Sequence, residues 1–107
     1  MPPKFGTSGL RGLVTELTPD LVASYVRAFV AACPQGSAVH VGWDLRPSSP
    51  AIADVVVQTV QACGLTAVRC GEVPTPALAL AAMNAGCGAV MVTGSHIPAD
   101  RNGLKFY

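Results

Sequence analysis

Three times along this chain a hydroxyl residue stands directly before a proline and opens an apolar run: Thr18-Pro19, Ser49-Pro50 and Thr75-Pro76. A side-chain hydroxyl can cap the free N–H groups of a helix start. Proline suits the first helical position, because its missing N–H would have no partner there. The first run carries Leu21, Val22, Tyr25, Val26, Phe29 and Val30, the i, i+1, i+4, i+5 stripe of an amphipathic helix. It ends near Cys33, ahead of Pro34-Gln35-Gly36, whereas Ala51 to Cys63 stops at Gly64 and Ala77 to Ala85 stops at Gly86. A glycine just past a helix can take the left-handed conformation that closes it.

Between these helices lie apolar runs of strand length and β-branched content: Ala38 to Trp43, Leu65 to Cys70 and Ala89 to Thr93. Helix and strand therefore alternate. That order predicts parallel strands with helices on both faces, since each parallel crossover needs about a dozen residues. Gly103 to Tyr107 follows Val92 after a short link without helical periodicity, which favours an antiparallel fourth strand. The expected fold is one domain over residues 1–107, a three-layer α/β/α unit with a mixed four-stranded sheet whose last strand is antiparallel.

Composition narrows the function classes. Hydrophobic residues make up 50% of the 107 and charged residues 12%, with a net charge of +1. Disorder needs the opposite balance, and binding nucleic acid by bulk charge needs a basic stripe that is not present. The usual charged share is about 25%, so a surface this poor in charge is expected to meet other protein. Ala51 to Cys63 contains Asp54, Gln58 and Gln61, and Ala77 to Val92 is broken by Asn84, Gly86 and Gly88; neither supplies a membrane span. The first twelve residues have no apolar core of a signal peptide. Cys33, Cys63, Cys70 and Cys87 form no metal-ligand spacing, and the expectation is free structural cysteines in a cytoplasmic protein.

In open α/β sheets ligands gather at the carboxyl ends of parallel strands. The segments 44–49, 71–75 and 93–98 fall there, and a fourth polar segment, Gly6 to Gly12, precedes the first helix. The segment Thr93-Gly94-Ser95-His96-Ile97-Pro98 combines a flexible backbone, a hydroxyl and a titratable ring, with Arg101 and Lys105 following. A serine-hydrolase elbow requires G-x-S-x-G turning into a helix, which this segment lacks. A serine oxygen carrying phosphate, surrounded by amides and cations, suits it better. Blander roles fall to other residues: a loop ion pair for Asp44 and Arg46, helix caps for Ser48 and Ser49, a strand residue facing a helix or solvent for His40, and a turn for Asn102-Gly103.

Four stretches together resemble the α-D-phosphohexomutases, the phosphomannomutase/phosphoglucomutase family. They are Phe5-Gly6-Thr7-Ser8-Gly9-Leu10-Arg11-Gly12, then Val41 to Ser49, then Gly71-Glu72-Val73-Pro74-Thr75-Pro76, and Val92 to Pro98 running on to Asn102-Gly103-Leu104-Lys105. They stand in family order and span nearly the whole chain. The resemblance implies an α/β/α first domain with a mixed four-stranded sheet. It implies that Ser95 is the phosphoserine that exchanges its phosphoryl group with a hexose phosphate through a hexose 1,6-bisphosphate. His96 matches the neighbouring active-site histidine, and Arg11 and Lys105 match a cationic pair at the sugar hydroxyls. A guanidinium does not deprotonate in a protein, so Lys105 takes the proton and Arg11 acts through its charge. Thr7, Ser8, Arg11, Asn102 and Lys105 are the expected phosphate and substrate contacts.

The resemblance further implies Mg²⁺ on a phosphoserine oxygen of Ser95, with three aspartates of a second domain as its other ligands. Many members read T-A-S-H-N-P where this chain has Gly94 and Ile97, a form closer to bacterial phosphomannomutase-type members. The family's D-G-D-x-D-R metal loop is not among these residues, so residues 1–107 are expected to be catalytically incomplete alone. The implied partners are hexose phosphates and the remaining domains, with self-association of the isolated domain through apolar faces. The other reading is a folding or interaction module of the same fold without catalysis.

Overall fold

The computed structural model describes residues 4–6, 9–32, 38–94 and 101–107. In chain order these form β1 (Lys4–Gly6), β2 (Gly9–Leu13), a 3-10 turn at Val14–Glu16, α1 (Pro19–Ala32), β3 (Ala38–Trp43), α2 (Ser49–Ala62), β4 (Thr66–Glu72), α3 (Thr75–Ala85), β5 (Gly88–Val92) and β6 (Arg101–Phe106). The three helices begin at the three hydroxyl–proline pairs. Only one pair caps as expected: Leu21 N–H donates to Thr18 Oγ1 at 3.3 Å. At α2 and α3 no side chain caps the start, and the Ser49 hydroxyl is used elsewhere. Gly86 closes α3 in the left-handed region at φ 68°, its N–H turned back to Ala82 and Met83 carbonyls.

The strands form one mixed sheet in the order β1-β2-β6-β5-β3-β4. β3 pairs in parallel with both β4 and β5, whereas β5–β6, β6–β2 and β2–β1 are antiparallel. The expected four-stranded sheet is therefore too small: among the described residues five strands of five residues or more are joined by a three-residue edge strand. The addition is β1–β2, which flank and overlap the polar segment Gly6 to Gly12. Gly9-Leu10-Arg11-Gly12-Leu13 shows little strand propensity. It is ordered by pairing along the free edge of β6 and by Leu10, which is fully buried. The Asn102-Gly103 turn expectation fails for the same reason, because both residues lie inside β6 opposite β2.

Alternation along the strands assigns the faces. Val39, Val41, Val90, Val92, Leu10 and Leu104 point to one side, where Val22 and Val26 of α1 and Ile52, Val56 and Val60 of α2 close the main core. Ala89 and Met91 point to the other side, against Leu78 and Ala82 of α3. The result is the expected three-layer α/β/α arrangement. Fully burying each such aliphatic side chain contributes about 1.5–3 kcal/mol. His40 lies on its strand as expected, half-buried, with Nδ1 buried and unpartnered among the described residues. α3 leaves Leu80 and Met83 outward, at 58% and 76% exposure, an apolar strip of the kind the low charge predicts. No described helix is long and apolar enough to cross a membrane.

Gly103 holds the two halves of the sheet in register. A Cβ there would fall 2.5 Å from the Leu10 carbonyl oxygen and 3.1 Å from Arg11 Cγ. The first of these is backbone and cannot rotate away, so β2 must shift off β6. Gly103→Ala is expected to destabilise the domain by about 3 kcal/mol in urea unfolding, at the upper end for overpacking. A change below about 0.5 kcal/mol, the range of an ordinary surface substitution, would mean the strands are not this close.

Candidate active site

β3 and β5 lie side by side in parallel, so the segments that follow them emerge at one edge of the sheet. β6 runs antiparallel to β5 and begins at that same edge with Arg101 and Asn102. The Thr93 N–H donates to the Gly103 carbonyl at 3.0 Å, and the Asp44 N–H donates to the Val92 carbonyl at 3.0 Å. Residues from three separate sequence segments thus meet at the carboxyl edge.

Asp44 organises this edge. Its Oδ1 accepts from the Arg46 N–H at 3.1 Å and from the Ser49 hydroxyl, and its Oδ2 accepts from the Gly94 N–H at 3.0 Å. Arg46 Nε stands 3.4 Å from Oδ2, the ion pair read from sequence, with side chains only 16% and 23% exposed for Arg46 and Asp44. Burial by itself would raise the carboxyl pKa. Hydrogen bonds from Ser49, from the Gly94 and Arg46 amides and from Thr93 outweigh it, holding Asp44 below the ordinary carboxylate range. A group depressed in the folded state stabilises the fold above its unfolded pKa, and that stability is lost as pH falls through the folded value. Asp44→Asn should therefore lower stability by about 2 kcal/mol at neutral pH, the worth of hydrogen bonds to a charged group. The gap to the parent should shrink below about pH 4. Urea unfolding at neutral and acid pH checks this, and a gap independent of pH would contradict it.

Asn102 belongs to the same network, at 0% exposure. Its Nδ2 donates to Ser48 Oγ and Ser49 Oγ, each at 2.9 Å, and its Oδ1 accepts from the Gly103 N–H at 2.8 Å. Asn102, expected as a phosphate contact, has its side chain enclosed here. It ties β6 to the start of α2, and the hydroxyls of Ser48 and Ser49, expected as helix caps, are its acceptors.

Strand register puts Arg11 and Lys105 on one face of the sheet. Arg11 pairs in register with Gly103, and Lys105 with Met91. Paired residues share a sheet face, so both cations project on the α3 side, from adjacent strands and two positions apart in register. Arg101 shares that face through the same alternation. All three are half-buried, and none is in a salt bridge with a described acidic residue. Leu10 and Leu104 anchor the opposite side of these strands in the core, which fixes the direction of the cations. Ser95, His96, Thr7 and Ser8 lie outside the described residues. Gly94 and Arg101 are the described neighbours on either side of Ser95 and His96.

A pocket of about 820 Å³ opens at the ends of β3 and β4, walled by Trp43, Leu45, Arg46, Glu72 and Pro74. Arg11 and Lys105 do not line it. Among the described residues no cluster of three His, Cys, Asp or Glu could hold a metal ion. Asp44 is taken up by hydrogen bonds and Arg46, so the described residues do not make a metal site of their own.

Residues 2–107 match the family model for the phosphoglucomutase/phosphomannomutase alpha/beta/alpha domain I. The chain belongs to this family, as its domain I. A phosphomannomutase of Sinorhizobium fredii is 50% identical over the whole chain, and one of Salmonella muenchen is 47% identical over 96% of it. A phosphoglucomutase/phosphomannomutase family protein of Burkholderia thailandensis, known from its crystal structure, is 35% identical over 95% of the chain with a TM-score of 0.81. This domain I spans 24%, 22% and 25% of those three proteins, roughly a quarter of each.

Proposed function

We propose that this domain I carries the phosphoryl group of a hexose-phosphate mutase, interconverting hexose 1-phosphate and hexose 6-phosphate of mannose or glucose. Ser95 holds the group as a phosphoserine. In the forward step the Ser95 Oγ–P bond breaks and a bond forms from phosphorus to the free hydroxyl oxygen of the sugar, giving the hexose 1,6-bisphosphate. The sugar hydroxyl gives up its proton by way of the Lys105 amino group, which passes a proton on to the freed serine oxygen. After the bisphosphate turns over, its other phosphoryl group returns to Ser95. Arg11 stays charged throughout and offsets the charge on the transferring oxygens.

The observation that carries this reading is the pairing of Arg11 and Lys105. They come from motifs at opposite ends of the chain and share one face of β2 and β6, at whose edge Gly94 precedes Ser95. His96, Thr7 and Ser8 are assigned beside the phosphate on the motif match alone. Mg²⁺, when bound, neutralises charge on the phosphoryl oxygens. In this reading it is held through phosphorylated Ser95, with its other ligands supplied from beyond these residues. The remainder of a protein as long as the relatives is the expected partner. The outward Leu80 and Met83 offer an apolar strip for such contact or for self-association of the domain. Cys63, Cys70 and Cys87 are free thiols, consistent with a cytoplasmic setting.

The test is conversion of mannose 1-phosphate and glucose 1-phosphate to the 6-phosphates by the full-length protein, started with hexose 1,6-bisphosphate and Mg²⁺. Many turnovers per molecule are expected with at least one sugar. Absence of turnover with both would reject the reading in favour of a non-catalytic module of this fold.

A further inference from the structure

One ion pair touches the described residues on both sides of the segment 95–100. Asp44 Oδ2 accepts from the Gly94 N–H at 3.0 Å, on the near side. Arg46 Nη1 donates to the Arg101 carbonyl at 3.1 Å, on the far side. The two side chains are joined through Arg46 Nε and Asp44 Oδ2 at 3.4 Å, so the two anchors are not independent. A third observation concerns residue 94 itself. A Cβ built on Gly94 would overlap Nε and Cζ of Arg46, because the guanidinium lies directly over the glycine. Here the absent side chain is the space that the arginine occupies, and φ at Gly94 is not in the left-handed region.

A guanidinium suits this task through geometry. Its planar fork can engage a carboxylate with one nitrogen and a carbonyl with another, which a lysine ammonium cannot do at two fixed directions. Its low exposure keeps water from competing for either bond. The contacts link the loop after β3 to the end of β5 and the start of β6, and none of them involves Arg11 or Lys105.

We infer that Arg46, seated on Gly94 and paired with Asp44, is a positioning residue that sets the separation between Gly94 and Arg101 and thereby places Ser95 for phosphoryl transfer. The inference rests on Ser95 being the phosphoryl carrier. In this inference Arg46 acts through the backbone at Gly94 and Arg101. Phosphoryl transfer depends on alignment of attacking and leaving oxygens, and a misplacement of about 1 Å can lower the rate about a hundredfold. Loss of the anchor should therefore reduce kcat while leaving KM for the sugar phosphate nearly unchanged.

The experiment uses the full-length protein with Arg46→Met, Gly94→Ala, the double variant and Ser95→Ala. Kinetics are measured at a temperature where circular dichroism shows each variant folded. Arg46→Met and Gly94→Ala are each expected to lower kcat by about ten- to a hundredfold with KM within about twofold. The double variant is expected to match Arg46→Met alone, since the added methyl group has no guanidinium left to displace. Parental kcat in Arg46→Met, with Ser95→Ala inactive, would overturn the positioning role and leave the phosphoserine reading standing. Losses that multiply in the double variant would also overturn it, because Gly94 would then act apart from Arg46. A Ser95→Ala protein that keeps its turnover would instead overturn the phosphoserine reading on which the inference rests.

Discussion

Ser95→Ala should abolish mutase turnover in the full-length protein, by about 10⁴-fold or more, while leaving the domain folded. The size follows from the kind of catalysis. Removing a covalent carrier removes an entire pathway, and single knockouts of such a nucleophile lose about as much as removal of its whole catalytic unit. The described core clusters on both sheet faces close through Leu10, Val41, Val90, Leu104, Leu78 and Met91. Unfolding should therefore change little, which separates a lost carrier from a lost fold. The check is kcat with hexose 1-phosphate, paired with urea unfolding of the same protein. Activity within tenfold of the parent would mean that phosphate is carried elsewhere.

Lys105→Met should lower kcat by about 10²–10⁴-fold, the range for loss of a positioned acid–base group. Met keeps most of the aliphatic stem, so contacts along β6 opposite Met91 are retained and the amino group alone is removed. Arg11→Met should also lower the rate, through lost stabilisation of charge. The two should differ in what an added amine can do. A small primary amine in solution can accept or donate the missing proton, so it should partly restore Lys105→Met and have no effect on Arg11→Met. Restoration of both, or of Arg11→Met alone, would reverse the roles given to these residues. A fully active Lys105→Met protein would remove Lys105 from the chemistry.

Much of this architecture is legible in the sequence where local chemistry and tertiary position agree. Pro19, Pro50 and Pro76 mark the three helix starts, and Gly86 marks a helix end, because these residues constrain the backbone directly. Strands β3, β4 and β5 follow from β-branched runs between helices, and their parallel pairing follows from the crossovers. The β1–β2 pair is not legible in that way. Gly9 to Leu13 is ordered by an edge that exists only once β6 has formed, and a one-dimensional pattern does not contain that edge. Asn102-Gly103 misleads for a related reason. The pair has the composition of a turn, yet Gly103 leaves room for the Leu10 carbonyl and the Arg11 stem, and Asn102 pins Ser48 and Ser49.

The candidate site divides along the same line. Arg11 and Lys105 stand out through the motifs that contain them, and strand register then brings them to one face. The ion pair of Asp44 and Arg46 is readable from their spacing. What the spacing cannot reveal is that Arg46 reaches on to Gly94 and Arg101, about fifty residues away, because that requires β3 beside β5 and β5 beside β6. The low charge has a visible counterpart in Leu45, Leu80 and Met83, which are large, apolar and exposed. Such residues fit a domain that meets further polypeptide.

The most direct test of the phosphoserine reading is the covalent state of residue 95. The full-length protein is incubated with hexose 1,6-bisphosphate and Mg²⁺, its intact mass measured, and its peptides mapped. The account predicts one added phosphoryl group, located on Ser95, lost when hexose phosphate is supplied in excess and absent from Ser95→Ala. Phosphate on any other residue, or turnover in a protein whose Ser95 never carries phosphate, would contradict it.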